Sequence, residues 1–209
     1  MKDLYFLEKE MLSNYLSDYF KKEISIEQIS FLSDRGMNKR VFTFNDDKIL
    51  AIAIPKGADY DLGSEFKKLK LLYNNVSLYF PKPEFYLDTI DQEIMGMEFL
   101  PHKPIGDLKA LLSESQQESL SRNIGESMGY TLGKTGLFTE EPHDYNILAQ
   151  SVNDSMEVKL IDADHFIPGN IRDVASIVLR TYAHDREECV KYPKSFLEGL
   201  EKGYYAAKN

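Results

Sequence analysis

The chain has 209 residues, 43% of them hydrophobic and 28% charged, and its formal net charge is −9. This length suits one domain, or two small lobes, with a real hydrophobic core, and the composition is ordinary for a globular protein. The negative charge argues against broad binding to nucleic acid or to anionic membranes, because both attract cationic surfaces.

The single cysteine and the N-terminal sequence indicate the cellular compartment. Cys189 has no partner for an internal disulfide, which predicts a reducing compartment. Charged residues interrupt the N-terminal segment too early for a secretory signal, and no apolar run approaches the roughly 20 residues that cross a bilayer. We therefore expect a cytoplasmic protein that does not bind membranes.

The first half of the chain has the pattern of a small antiparallel sheet. Apolar residues at helical spacing predict an amphipathic helix over residues 4–20, which we expect to pack on the domain; binding of a protein partner is the alternative. Alternating and apolar runs then predict strands, with one helix between the third and fourth of them. The predicted strands cover 29–32, 41–44, 48–55, 85–87 and 93–100, and the helix, capped by Ser64, covers 64–74.

From Pro101 onward the pattern is mainly helical. Four apolar residues, Leu120, Ile124, Met128 and Leu132, repeat every four positions and predict one buried stripe of a long helix. We place the boundary between a sheet lobe, 1–100, and a helical lobe, 101–209, at this change. The predicted helices cover 105–112, 116–134 and 173–184, with a last one from 193, and two short strands lie between the second and third helices.

Those two short strands end in residues that can hold a divalent cation. Asn146 precedes the first strand, and the second strand leads into Asp162 and Asp164. Mg²⁺ prefers oxygen ligands, which amide and carboxylate groups supply. If 162–164 is extended, both carboxylates face the same side. The alternative is a set of ordinary turn aspartates and a loop-capping asparagine.

The order Asn146-Ile147-Leu148 and then Leu160-Ile161-Asp162 resembles the metal-binding segments of the protein-kinase-like superfamily, most closely its compact aminoglycoside-phosphotransferase-like and RIO-like branch. The resemblance implies an α+β, bilobal protein-kinase-like fold with a trimmed helical lobe, and ATP and Mg²⁺ as cofactors. It implies that Asn146, Asp162 and Asp164 hold the metal. It also implies that Glu141, at the position of the family's catalytic aspartate, orients the acceptor hydroxyl.

The same resemblance implies nucleotide contacts elsewhere. Glu98 and Leu100 would meet the adenine edge through their backbone groups; the alternative is an edge strand that ends in a loop. Glu65 would pair with the lysine that anchors the phosphates, and the alternative is an exposed acid in the first turn of a helix. Asp173 would brace the catalytic loop, or cap its helix.

Three positions depart from the family pattern. Ala53 stands where the family has the phosphate-anchoring lysine, and Lys39 is the first candidate to reach the phosphates instead; Lys56, which follows Pro55, is the alternative. Gly36 alone represents the glycine-rich loop. Glu141 is one methylene longer than aspartate, and a shift of about 1 Å in a catalytic group can cost about 10²-fold in rate.

The residues around Glu141 keep two interpretations open. Glu140, His143 and Asp144 lie close enough in sequence to replace it as the catalytic group. The alternative is that the whole segment is a solvated acidic loop.

These patterns support two main hypotheses and a third. The first is an ATP- and Mg²⁺-dependent phosphotransferase whose acceptor is an unknown small molecule or protein. The second is a pseudokinase that acts as a regulatory module and binds a nucleotide or a partner. A partner would contact the N-terminal helix. Ala53 and Glu141 motivate this hypothesis, because both differ from the family pattern. The third, another nucleotide transfer such as adenylylation, has no positive feature in the sequence.

Overall fold

The computed structural model describes residues 5–33, 38–57, 59–152, 155–183 and 191–209. Antiparallel sheets and six α-helices make up the described part of the chain, which confirms the α+β class. The chain forms two compact units, the first made of Met1–Gly63 and Pro83–Leu100, the second of Ser64–Lys82 and Pro101–Asn209. No helix in these ranges is long and apolar enough to cross a membrane.

The first unit contains the predicted five strands, which form one antiparallel sheet, and the helix α1 (Phe6–Phe20). The strand order is β1-β2-β3-β5-β4, so β3 and β5 pair across the segment that contains the intervening helix. The elements are α1 (Phe6–Phe20), β1 (Ile29–Ser33), β2 (Lys39–Asn45), β3 (Ile49–Pro55), β4 (Pro83–Asp88) and β5 (Glu93–Glu98).

The helix α1 packs on the sheet of the first unit. Leu12 and Leu16 are completely buried and join a hydrophobic core with Phe42 and Ile52. Packing is therefore the role of this apolar face. Binding of a partner through the exposed residues of α1 stays a prediction.

The second unit combines helices with three short strand pairings. The hairpin β8–β9 carries β6 at its edge, and β7 pairs separately with β10. The strands β6, β7 and β10 were not predicted, because two or three residues are too few to show a period. The helix α2 (Leu62–Val76) has its first two residues in the first unit and the others in the second. The remaining elements of the second unit are β6 (Lys103–Pro104), α3 (Ile105–Leu108), α4 (Glu114–Thr135), β7 (Leu137–Thr139), β8 (Ile147–Val152), β9 (Ser155–Leu160), β10 (Phe166–Pro168), α5 (Ile171–Ala183) and α6 (Pro193–Lys208).

The predicted cap of α2 is wrong. The helix begins at Leu62, two residues before Ser64, and the Leu62 N–H donates to the Glu93 carboxylate at 2.8 Å. A free helix end leaves its first N–H groups unpaired, and here an acid from a distant strand satisfies one of them. A contact between residues so far apart in sequence cannot be read from the local pattern.

The helices α4 and α6 approach closely because glycines face each other's backbone. A Cβ added at Gly129 would overlap the carbonyl oxygen of Leu200, and one added at Gly203 would overlap that of Glu126. The predicted apolar stripe of α4 is confirmed as buried. Its four members are Leu120, Ile124, Met128 and Leu132.

Tyr79, which follows α2, should make the stability of the protein depend on pH in the alkaline range. Burial raises the pKa of Tyr79 from 10 to about 12, and electrostatic repulsion from Glu126 and Tyr130 adds to the effect. Because the folded state favours the neutral phenol, its contribution to stability is complete below pH 10 and is lost as the pH rises toward 12. We expect the free energy of unfolding to fall over this range, and to fall less in Tyr79→Phe. Urea denaturation at a series of pH values measures it.

The matched control for this prediction is Tyr205→Phe, which removes an exposed phenol from α6. It should keep the wild-type dependence on pH. If Tyr79→Phe and the wild type lose the same free energy between pH 10 and 12, the folded state does not disfavour the ionised Tyr79.

Candidate functional site

The hairpin β8–β9 brings Asn146 next to the residue that precedes Asp162. Ile147 lies opposite Leu160 in the antiparallel register, so the chain segments on either side leave the sheet together. The Ile161 N–H donates to the Asn146 carbonyl at 3.0 Å. The two predicted metal-binding segments are therefore neighbours in space.

The backbone turns sharply at Asp162. Its φ of 68° lies in the left-handed region, which aspartate enters more readily than most residues that carry a Cβ. Ala163–His165 then forms one turn of 3₁₀-helix. The prediction that 162–164 is extended is wrong: a turn, and not strand alternation, sets the directions of the two carboxylates.

Three carboxylates surround one imidazole at this turn. The His165 Nε2 atom lies 3.4 Å from Glu141 Oε2, 3.6 Å from Asp164 Oδ1 and 3.8 Å from Asp162 Oδ2. We call Glu141, Asp162, Asp164 and His165 the acid–imidazole cluster. Within it, ligand atoms of Asp162, Asp164 and His165 lie within 4.8 Å of one another, as metal ligands do.

His165 was missed at the level of the sequence. The available signal was its place directly after Asp-Ala-Asp, three residues from Asp162. Residues at this spacing share a face when the backbone forms a helical turn, here of the 3₁₀ type, and do not in an extended strand.

The pairing of β7 with β10 places Glu141 beside His165. Thr139 lies opposite Phe166, and just beyond this pair the Glu140 N–H donates to the His165 carbonyl at 3.1 Å. The Glu141 side chain is 48% exposed, so an incoming molecule can reach its carboxylate.

The helix α2 contributes a lysine to the same turn. Lys68 Nζ donates to the backbone carbonyl of Asp164 at 2.5 Å, a contact within the second unit that the sequence did not predict. Glu65, three residues earlier on α2, is only 2% exposed. The alternative interpretation of Glu65 as an exposed first-turn acid is therefore wrong; its predicted role toward the nucleotide stays a prediction.

Two polar atoms near the turn are available for a cation. Asp164 Oδ1 is buried and has no hydrogen-bond partner among the described residues. Asn146 Nδ2 donates to the Glu141 carbonyl at 3.3 Å, which leaves Oδ1 as the amide atom that can ligate a cation. Both are oxygen atoms, so the donor chemistry fits a hard divalent cation.

Asp144 has a structural role in the loop. Its side chain is 4% exposed and its carboxylate is paired with Lys109. A buried carboxylate that is held by an ammonium is poorly placed to exchange a proton with a substrate. Of the loop residues considered as alternatives, His143 accepts the Tyr145 N–H through Nδ1 at 3.2 Å, and Glu140 contacts His165 through its backbone.

Three of the predicted nucleotide contacts lie in the first unit. Lys39 is the first residue of β2, and its Nζ atom lies 5.7 Å from the centre of the Tyr60 ring. Glu98 is the last residue of β5 and is exposed. Leu100, two residues later, is half-buried. Their roles stay predictions, and Gly36 lies outside the described residues.

Asp173 belongs to the cap of α5, although not as its first residue. The Arg172 N–H donates to the Asn170 side chain at 2.9 Å, which makes Asn170 the capping residue. Asp173 accepts the Asn170 N–H at 2.8 Å in return. The arrangement resembles a capping box, except that the Asn170 side chain accepts from Arg172 and not from Asp173. A brace from Asp173 to the catalytic loop stays a prediction.

A protein-family model matches the region of the chain that contains these residues. The sequence model of the ABC1 atypical kinase-like domain matches residues 54–193, which is more than half of the chain and includes the whole acid–imidazole cluster. The match confirms the protein-kinase-like superfamily; the aminoglycoside-phosphotransferase-like or RIO-like branch stays a prediction. A search of curated proteins finds no significant match.

Proposed function

Because the chain belongs to the family of ABC1 atypical kinase-like domains, we propose that it binds ATP with a divalent cation and transfers a phosphoryl group to an acceptor. The observation that carries this proposal is the acid–imidazole cluster, in which Glu141 lies beside two carboxylates of the metal-binding type. The acceptor, a small molecule or a protein, is open.

The cation site of the proposal uses oxygen atoms of the second unit. Asn146, Asp162 and Asp164 would hold the cation, and the buried Asp164 Oδ1 supports this because a bound cation would satisfy it. When bound, such a cation neutralises charge on the transferred phosphoryl group.

The remaining residues divide into a proton acceptor and nucleotide contacts. Glu141 orients the acceptor hydroxyl and takes its proton; the exposure of its carboxylate supports this role. Lys68 brings positive charge to the turn that carries the metal-binding acids, so it joins Lys39 as a candidate phosphate contact. Glu98 and Leu100 meet the adenine through their backbone, and Glu65 supports a phosphate-binding lysine.

One observation favours a second function, a regulatory module that binds a nucleotide or a partner without turnover. Ala53, at the position of the family's phosphate-anchoring lysine, is buried in β3 and carries no charge. Loss of that ammonium removes a charge-assisted contact to the phosphates, which weakens catalysis more than it weakens adenine binding.

Titration calorimetry with ATP and Mg²⁺ tests the proposal. The wild type should bind one ATP, and Asp162→Ala should weaken binding at least tenfold, since the cation that links protein and phosphates is lost. Asp88→Ala, which removes an exposed acid at the end of β4, is the matched control and should bind like the wild type.

The outcomes separate the candidate functions. Absence of ATP binding by the wild type at millimolar concentration contradicts the phosphotransferase and the nucleotide-binding form of the regulatory module, and leaves only its partner-binding form. Binding without formation of ADP favours the regulatory module, and mass spectrometry of an adduct separates a phosphate from an AMP group.

A further inference from the structure

We propose that the exposed side of α2 is a docking surface for an acidic segment of a partner protein. The surface consists of Lys67, Lys70, Leu71 and Asn74, and we call it the lysine face of α2. All four residues belong to the second unit. The inference goes beyond the proposed function and depends neither on nucleotide binding nor on phosphoryl transfer.

The helix α2 buries one side and exposes the other. Glu65, Leu69, Leu72 and Val76 are buried. The four residues of the lysine face are exposed, and they stand at positions i, i+3, i+4 and i+7 of the helix. This spacing places them together on the side of the helix that is opposite to the buried residues.

The lysine face carries positive charge only. The one acid of α2 is Glu65, which is buried on the other side, and no acid stands three or four positions from Lys67 or Lys70 in the sequence. Within the described parts of the chain, neither of these two ammonium groups forms a hydrogen bond or an ion pair. Like charges three residues apart repel each other and weaken a helix slightly, so carboxylates of a partner would relieve an unfavourable contact.

Leu71 gives the lysine face an apolar centre. Its side chain is 47% exposed, and it lies one position after Lys70 and four after Lys67. An apolar centre with a polar rim is the usual composition of a protein-binding surface, and the alkyl parts of lysine side chains add to the apolar area. The matching partner segment has an apolar side chain between carboxylates, which would cover Leu71 and pair with both ammonium groups.

The charge of the whole chain favours a protein segment over a larger polyanion. Nucleic acid and anionic bilayers present negative charge over an area much wider than one side of a helix, so the net charge of −9 repels them. A short acidic segment lies close to the lysine face alone. Charges more than about 10 Å away are largely screened at 0.1 M salt, so the two lysines dominate its interaction with the protein.

Titration of the ¹⁵N-labelled, nucleotide-free protein with a designed helical peptide tests the proposal by nuclear magnetic resonance. The peptide has two glutamates and a leucine at positions i, i+3 and i+4, which is the spacing of the two lysines and Leu71. We expect saturable changes centred on the amide signals of α2. A peptide with glutamine in place of both glutamates should bind at least tenfold more weakly, and added salt should weaken binding of the acidic peptide.

The double variant Lys67→Glu/Lys70→Glu should bind the acidic peptide at least tenfold more weakly than the wild type. It should instead bind a peptide that has lysine in place of both glutamates. Lys194→Glu is the matched control, because it reverses the charge of an exposed lysine on α6 that has no ion pair among the described residues. It should bind the acidic peptide like the wild type.

Leu71→Asn tests the apolar centre and should also weaken binding of the acidic peptide. Its control is Leu111→Asn, which changes a leucine that is 78% exposed elsewhere in the second unit. Thermal denaturation shows whether each variant is folded. If the double charge reversal is not folded, the glutamine peptide and Leu71→Asn still decide.

Three results would overturn the inference. The first is absence of binding, or signal changes that are spread over the protein without a centre on α2. The second is equal binding of the acidic and the glutamine peptides. The third is tighter binding of phosphatidylserine vesicles or single-stranded DNA than of the acidic peptide to the lysine face, which would assign the surface to another class of partner. Calorimetry with ATP and Mg²⁺ is read independently of all three results.

Discussion

Gly129→Ala is expected to lower the free energy of unfolding by about 2 kcal/mol, because overpacking typically costs about 1–3 kcal/mol and the helix propensity of alanine returns up to about 1 kcal/mol. The added Cβ would overlap the carbonyl oxygen of Leu200 on α6. A backbone atom inside a helix cannot move aside as a side chain can, which places the cost at the upper end of the range. Urea denaturation measures the change.

The control for this substitution is Gly57→Ala, where an added Cβ meets nothing within 4 Å. It should change the free energy of unfolding by less than about 0.5 kcal/mol, as surface substitutions usually do. If Gly129→Ala is as stable as the wild type, α4 and α6 separate without cost and the close glycine contact does not stabilise the second unit.

Glu141→Gln is expected to reduce turnover of ATP by about 10²- to 10⁴-fold, the usual contribution of a positioned general base. The substitution keeps the size of the side chain and its place beside His165 but removes the group that takes the proton. ATP affinity should stay within a few-fold of the wild type, because the proposed metal and nucleotide ligands are unchanged. Formation of ADP, followed with calorimetry of ATP binding, measures both quantities.

Glu140→Gln is the matched control for Glu141→Gln. It changes the adjacent exposed acid, whose contact with His165 is made by the backbone and not by the side chain. Turnover should stay near the wild-type value. Equal losses in both variants would assign the effect to the charge of the loop, and a loss in Glu140→Gln alone would move the proton acceptor by one residue.

The sheet and the hairpin were predictable because their signals are local. Alternating apolar residues marked the five strands of the first unit, and the observed strands differ from the predicted ones by a few residues at their ends. Asn146 and Asp162 were recognised from short motifs beside two apolar runs, and the register of β8 with β9 brings those motifs together.

Other features could not be predicted from the sequence alone, because they depend on contacts between distant residues. Leu62 begins α2 because an acid on β5 accepts its N–H, and the expected cap at Ser64 took no account of that partner. Glu141 meets His165 because two three-residue strands pair, and such strands are too short to show periodicity. Lys68, which donates to the Asp164 carbonyl, lies almost a hundred positions earlier in the chain.

The sequence by itself determined the α+β class, the kinase-like superfamily and the two segments that carry candidate metal ligands. Burial patterns and short motifs depend on residues that are close together in the sequence, so they can be recognised without a structure. Only the tertiary structure decided which side chains share the site. The left-handed backbone of Asp162 and the β7–β10 pairing gather Glu141, Asp164 and His165 around one point. One backbone angle and one long-range pairing fix this, and a hydrophobic pattern specifies neither.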